Sequence, residues 1–248
     1  MPKRAQYASL CSYSQLAFFL RPSRLPKQPL LPRKKPRQAR AAVTVETILE
    51  AAARVLSDKS LDGFNTNRVA EVAGVSVGSI YQYFPNKAAL VAALIGRAQD
   101  SLADAVERAL QRSQGQRLER VLSGLIDVAI EHQFGNAVLA AALDHEEQRL
   151  PLGQMLSATQ HRIAKAVQRA FEEHPELANT TVTATTTIDC FTIVKALIES
   201  EATREKPDLA ALRKRALRAL QGYLLQPATK TLPRKRTRTD TPPPQDSP

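Results

Sequence analysis

An all-α fold is predicted by three observations. Apolar residues recur at helical spacing through the middle of the chain, no stretch alternates convincingly with a period of two, and the apolar stripes end at glycines and prolines. The expected architecture is a small N-terminal three-helix unit containing a helix-turn-helix, joined by a long helix to a larger helical domain. The 248 residues suffice for one large domain or two small ones with a core.

Charge divides the chain before the helices do. Residues 1–40 carry ten Lys/Arg and no acid, and residues 227–248 carry five Lys/Arg and two Asp. Twelve of the 16 prolines lie in those two ends, which leaves 20 bases and 22 acids between them. The overall charge of +11 therefore belongs to basic, proline-rich tails at 1–40 and 227–248, expected to be disordered, around a near-neutral middle. Solvated termini are the plainer account of such tails; the functional one is non-specific attraction to nucleic-acid phosphates. Cys11 and Cys190 are the only cysteines, which excludes a disulfide framework and fits a reducing cytoplasm.

Residues 7–20 follow Lys3 and Arg4 as a signal peptide would. Their apolar run is only Leu16 to Leu20, and prolines and bases follow it, so a signal peptide is rejected. No stretch reaches the roughly 18 apolar residues of a membrane span. A first helix is expected from Val45 to about Leu56, capped by Thr44, with Val45, Ile48, Leu49, Ala52, Ala53 and Leu56 inward and Ser57–Gly63 ending it. Phe64 joins the core of the three-helix unit. A second helix is expected to be capped by Thr66 and to bury Val69, Ala70 and Ala73, with Gly74 as its left-handed exit and Val75 plugging the turn.

The third helix runs from about Val77 to Phe84, capped by Ser76 and stopped by Pro85, and Asn86 caps the next. Two helices linked by three residues containing a glycine fit a helix-turn-helix, whose second helix enters the DNA major groove. At 100° per residue, Ile80 and Phe84 share one side with Val77 nearby. Gly78, Ser79 and Gln82 point the opposite way, flanked by Tyr81 and Tyr83. That face is poor core material but suits DNA, because Gln can bond adenine bidentately, Ser contacts any base and Gly admits the backbone closely. Residues 41–96 hold only Arg54, Lys59, Arg68 and Lys87 against five acids. Contacts must then come largely from hydroxyls, backbone N–H groups and helix N-termini.

The run Thr-Asn-Arg-Val-Ala-Glu-Val-Ala-Gly-Val-Ser-Val-Gly-Ser-Ile-Tyr-Gln-Tyr-Phe-Pro-Asn-Lys-Ala-Ala-Leu, from Thr66 to Leu90, resembles the TetR family of one-component transcriptional regulators. The motif resemblance covers roughly residues 38–96. It implies a helix-turn-helix DNA-binding domain at 41–96 and a helical ligand-binding and dimerisation domain at 97–226. It also implies that Asn67, Val77, Gly78, Ser79 and Gln82 approach bases, and that Thr66, Ser76, Tyr81, Tyr83 and Lys87 hold phosphates.

Beyond the motif a fourth helix is expected to carry Leu90, Val91, Leu94, Ile95, Leu102, Ala105, Val106 and Ala109, with Gly96 as a place to bend and Gly115 as its end. Further helices are expected over Arg117–Gln133, Val138–Arg149 and Leu152–Glu173, then from the Thr180–Thr187 stretch to about Arg204, and finally from Pro207-Asp208 to Leu224. The resemblance makes the last two a four-helix dimer interface, with Ile188, Phe191, Leu209, Leu212, Leu220 and Leu224 facing a second subunit. An intramolecular core would show the same stripes.

No phosphate loop, serine elbow, reactive-cysteine context or metal-ligand spacing appears, so neither an enzyme nor a cofactor is expected. Asp144-His145-Glu146-Glu147 reads as a charged helix end that does not converge. His132, Gln133, His161 and Thr185 are offered as polar groups of an effector pocket, while the six threonines of Thr180–Thr187 more simply start a helix. The functional expectation is a cytoplasmic dimeric repressor on a palindromic operator, released by a small-molecule effector. The alternatives are a constitutive DNA-organising protein and, ranked lower, a small-molecule-binding scaffold or enzyme.

Overall fold

A computed structural model describes residues 39–225; the two basic tails, Cys11 and the tail-to-phosphate reading lie outside them. Among the described residues the chain forms helices α1 (Ala39–Gly63), α2 (Thr66–Ala73), α3 (Val77–Tyr83), α4 (Lys87–Arg112) and α5 (Leu118–Phe134). α6 (Ala137–Arg149), α7 (Gly153–Glu172), α8 (Ala184–Ala202) and α9 (Leu209–Leu225) follow, with a 3-10 turn at Pro175–Leu177 and no strand. No described helix is long and apolar enough to cross a membrane.

α1 is longer than expected at both ends, and Thr44 lies inside it instead of capping it. The sequence holds neither proline nor glycine between Pro36 and Gly63, so nothing there breaks a helix. Ser57 does not end it because its hydroxyl donates back to the Ala53 carbonyl (2.9 Å), as serine can inside a helix. The cap of α2 is Asn65, whose side chain accepts the Arg68 N–H at 2.9 Å, in place of Thr66. Ser76 and Asn86 cap α3 and α4 by the same device, accepting from Ser79 N–H and Ala89 N–H. Gly74 leaves α2 at φ +66, the left-handed exit that a side chain resists.

Two apolar clusters hold the chain. In the first, Ile48, Leu56, Phe64, Val69, Ile80 and Phe84 meet Leu90–Ile95 of α4, together with Leu143 of α6, Leu152 just before α7 and Leu156 of α7. Helices α1–α3 are therefore packed directly on the larger unit, and Asn136 beside α6 donates to Ser57 Oγ of α1 at 2.9 Å. In the second, Val106 of α4 meets Leu122 and Ile126 of α5, Phe171 of α7, Cys190 of α8 and Leu220 and Leu224 of α9. α4 runs through both without a break at Gly96. At 1.5 Å per residue its 26 residues span about 39 Å.

The expected subunit face needs correction here. Leu212, Leu220 and Leu224 are 0%, 3% and 0% exposed within a single chain, so they are buried in its own core. Ile188 (38%), Phe191 (37%) and Leu209 (38%) are exposed, and so are Tyr223 and Leu225. The threonine stretch starts α8: Thr183 and Thr186 bond reciprocally as a capping box, and buried Thr187 donates to the Thr183 carbonyl.

Candidate nucleic-acid interface

Burial fixes how α3 is presented. Ile80 and Phe84 are buried, Val77 and Tyr83 lean partly into the same cluster, and Gly78 and Gln82 are exposed on the other side. Each buried anchor contributes roughly 1.5–3 kcal/mol from burial, enough to hold so short a helix in one orientation. Ser79 is half-buried because its hydroxyl lies 2.8 Å from that of Ser76, while its N–H donates to Ser76 Oγ at 3.0 Å. The two serines thus share a hydrogen-bonding unit at the start of α3. The Ser76 oxygen assigned to phosphate is already the helix cap.

The flanking residues are tied together as well. Thr66 Oγ1 lies 3.2 Å from Tyr81 Oη, joining the first turn of α2 to the exposed side of α3. Asn67 is exposed one residue further on, and Arg68 pairs with Glu71 at 2.6 Å. Lys87 begins α4, and its ammonium sits 5.3 Å from the centroid of the Phe64 ring, a cation–π distance. The structure brings Asn65, Thr66, Ser76, Tyr81 and Asn86 to helix starts or beside them, where unpaired N–H groups favour an anion. Asn65 was missed from the sequence because Thr66, one position later, is also a capping residue.

The expected effector groups do not assemble as a set. Only His132 lines the cleft of about 800 Å³ beside α4 and α5. Gln133 donates to Asp144 at 3.3 Å, while His161 and Thr185 are exposed on α7 and α8, away from the cleft. Residues not singled out supply the lining: Leu102, Ala105 and Ala109 from α4, Arg120, Asp127 and Val128 from α5, and Arg213 from α9. Arg213 grips Asp127 with two hydrogen bonds of 2.5 and 3.0 Å. The pairing was illegible because 86 residues separate the two.

Asp144 and Glu147 are a second correction. One turn apart on α6, they face inward together: Gln133 reaches Asp144, and Gln99 reaches Glu147 at 3.5 Å. Burial pushes both carboxyls above their usual pKa, with Asp144 adding to the shift of Glu147. Desolvation holds His132 below the usual imidazole value, opposed by the charge of Asp144. Among the described residues no three His, Cys, Asp or Glu are grouped to hold a metal ion. The buried Cys190 thiol is pushed up to about 12, first by burial and then by the charge of Asp189, which disfavours the reactive thiolate.

Comparison with known proteins agrees with this geometry. Residues 48–94 match the family model for bacterial regulatory proteins of the tetR family, and residues 117–224 match that for the tetracyclin repressor-like C-terminal domain. The chain is 24% identical over 151 residues to the nucleoid occlusion factor SlmA of Haemophilus ducreyi, covering 56% of this chain and 75% of that one. A putative TetR-family regulator from Mesorhizobium loti superposes with a TM-score of 0.63 at 20% identity, over 75% of this chain and 98% of the other. The fatty acid degradation regulator FadR from Bacillus halodurans does so with a TM-score of 0.58 at 19% identity, over 71% and 97%. At these identities the two structures show a shared fold.

Proposed function

Since the chain belongs to the TetR family of DNA-binding transcriptional regulators, which are not enzymes, we propose that it acts in the cytoplasm as a homodimeric repressor on an inverted-repeat operator, released by a small molecule. The observation that carries the DNA half of this reading is α3 itself, anchored by Ile80 and Phe84 with Gly78 and Gln82 exposed opposite. In the proposed roles Asn67, Val77, Gly78, Ser79 and Gln82 read bases. Thr66, Ser76, Tyr81, Tyr83 and Lys87 hold phosphates. The subunit surface is Ile188, Phe191, Leu209 and Tyr223 on α8 and α9, since the leucines first expected there are internal.

Support for release by an effector comes from α4. Its first residue, Lys87, borders the DNA-side face, and its last third forms one wall of the cleft, so displacement there reaches the recognition helix. A second reading, a constitutive DNA-organising protein, is favoured by the likeness to a nucleoid occlusion factor. Selection of randomised duplex DNA by the full-length chain tests the first. Two α3 helices on one face of the duplex must lie about 34–36 Å apart, so the consensus should be an inverted repeat. A consensus without two-fold symmetry overturns the dimeric operator. Occupancy across the genome separates the readings: a few promoter sites support a repressor, and many dispersed sites support an organiser.

A further inference from the structure

The cleft beside α4 is polarised along its length. At one end stand Arg112 of α4 and Arg120 of α5, with Gln116 and Ser113 between them. A smaller recess of about 280 Å³ adjoins this end and adds Arg117 and Glu119. Arg112, Arg117 and Arg120 make no ion pair with another described residue, whereas Arg213, which lines both the cleft and the recess, is paired with Asp127. The middle is lined by the small and apolar groups Leu102, Ala105, Ala109, Gly124 and Val128, with Ser123 and the Asp127–Arg213 ion pair among them. Ser101, Glu131 and His132 close the far end, where desolvation lowers the pKa of the His132 imidazole. Eleven helical residues separate Arg120 from Glu131, and eleven separate Ser101 from Arg112, so the two ends lie about 16 Å apart.

An apolar trough with unpaired guanidinium groups at one end and a carboxylate at the other is complementary to a molecule built the same way. We propose that the cleft binds an elongated amphipathic anion, a medium-chain aliphatic tail with one carboxylate or phosphate head, the head between Arg112 and Arg120. Planar guanidinium groups favour such heads because they offer paired donors to two oxygens. The tail lies along Ala105, Ala109 and Val128. Glu131 repels a ligand bound in reverse, and the same two arginines exclude a cationic head. This inference deepens the effector part of the proposed function and rests on that reading only for its consequence on DNA.

Isothermal titration of the full-length protein with dodecanoate, dodecyl phosphate and dodecyltrimethylammonium, each below its micelle concentration, tests it. One equivalent of dodecanoate or dodecyl phosphate per chain is expected, the stronger of the two naming the head, and no binding of the ammonium. Combined Arg112→Gln and Arg120→Gln should weaken the anion at least about tenfold, since charge-assisted bonds to the head are lost. Both side chains are exposed, and circular dichroism checks that the variant is folded. Ala105→Trp, which fills the trough, should abolish binding of the anion. Equal binding of the ammonium, or an undiminished affinity in the double arginine variant, overturns the proposal. So does the absence of heat with either anion, and unchanged operator recognition would then leave the DNA-binding reading standing. Anion binding that leaves operator affinity unchanged keeps this site and overturns release by an effector at it.

Discussion

Replacing Glu201 by alanine tests the corner from which the proposed subunit surface is built. Glu201, next to last in α8, is 1% exposed, yet it carries a carboxyl group. Its carboxylate accepts from the Asp208 backbone N–H at 2.8 Å, bonds the Arg215 guanidinium of α9, and lies 3.3 Å from Arg204. Asp208 in turn caps α9 by accepting from Ala211 N–H at 2.9 Å. A hydrogen bond to a charged group contributes about 1.5–3 kcal/mol. The two arginines are 37% and 57% exposed and rehydrate when Glu201 is removed, so their pairing adds no more than about 1 kcal/mol. Glu201→Ala should therefore cost about 2–4 kcal/mol, less than the 3–5 kcal/mol of a fully buried pair. For a fold of this size that is a fall in Tm of about 4–16 °C. Glu201→Gln keeps an oxygen for the Asp208 N–H and should lose roughly half as much. Thermal unfolding followed by circular dichroism reads both. An alanine variant within about 0.5 kcal/mol of the parent would refute the account of this corner as a buried electrostatic clasp.

Gln82→Ala should cost about 1–3 kcal/mol on the selected site and relax one base position, whereas Lys87→Ala should weaken all sequences and lower the salt slope by about one contact. Repeating the DNA selection with each variant checks this, and an unchanged Gln82→Ala consensus refutes the assignment. Ile188→Glu with Phe191→Glu should give folded monomers by sedimentation, because both side chains are exposed in one chain. Leu220→Ala should instead lower stability by about 2–5 kcal/mol, because it empties part of that chain's own core. Asp144 and Glu147 have raised pKa values, so their folded forms favour the proton. The stability this confers is full below the ordinary carboxylate pKa and is lost as pH rises through the raised values. Asp144→Asn should accordingly raise Tm at pH 7.5 and change it little at pH 4. The opposite ordering in melts at the two pH values refutes the burial account.

The DNA-side unit was legible because its instructions are local. Ser76, Pro85 and Asn86 act on neighbours three residues away or fewer, and the 3.6 period places Ile80 and Phe84 together. The four prolines outside the tails, Pro85, Pro151, Pro175 and Pro207, all fall between α-helices, and for that reason the helix boundaries were readable. Where one signal competed with an equal one, reading failed: Asn65 and Thr66 are both good caps, and the chain uses the first. The dimer leucines failed for another reason. A stripe such as Leu212, Ala216 and Leu220 reports that a face is buried but not whether its partner is the same chain. The cleft was least legible of all. Its walls come from α4, α5 and α9, and no spacing within one helix reports which other helix stands opposite.

How motion in the cleft reaches α3 in the proposed mechanism depends on which helices move together. α7 is tied to α4 by Thr159 on Asp100 at 2.7 Å, and by Arg162 on Asp104 and Glu107 at 2.8 and 2.6 Å. Those groups are exposed and screened by salt, so the stronger bond between the helices is apolar, with Leu156 in the first cluster and Val167 and Phe171 in the second. α5 contributes only to the second cluster, so in the proposed mechanism a parting of α4 and α7 from α5 would open that cluster and leave the first closed. That first cluster also holds α1, α2 and α3, and close-packed cores move as units instead of deforming smoothly. A ligand wedged between α4 and α5 would then tilt α4, α7 and the recognition helix as one body. Two such bodies in a dimer would change the separation of their α3 helices with no rearrangement inside either DNA-binding unit.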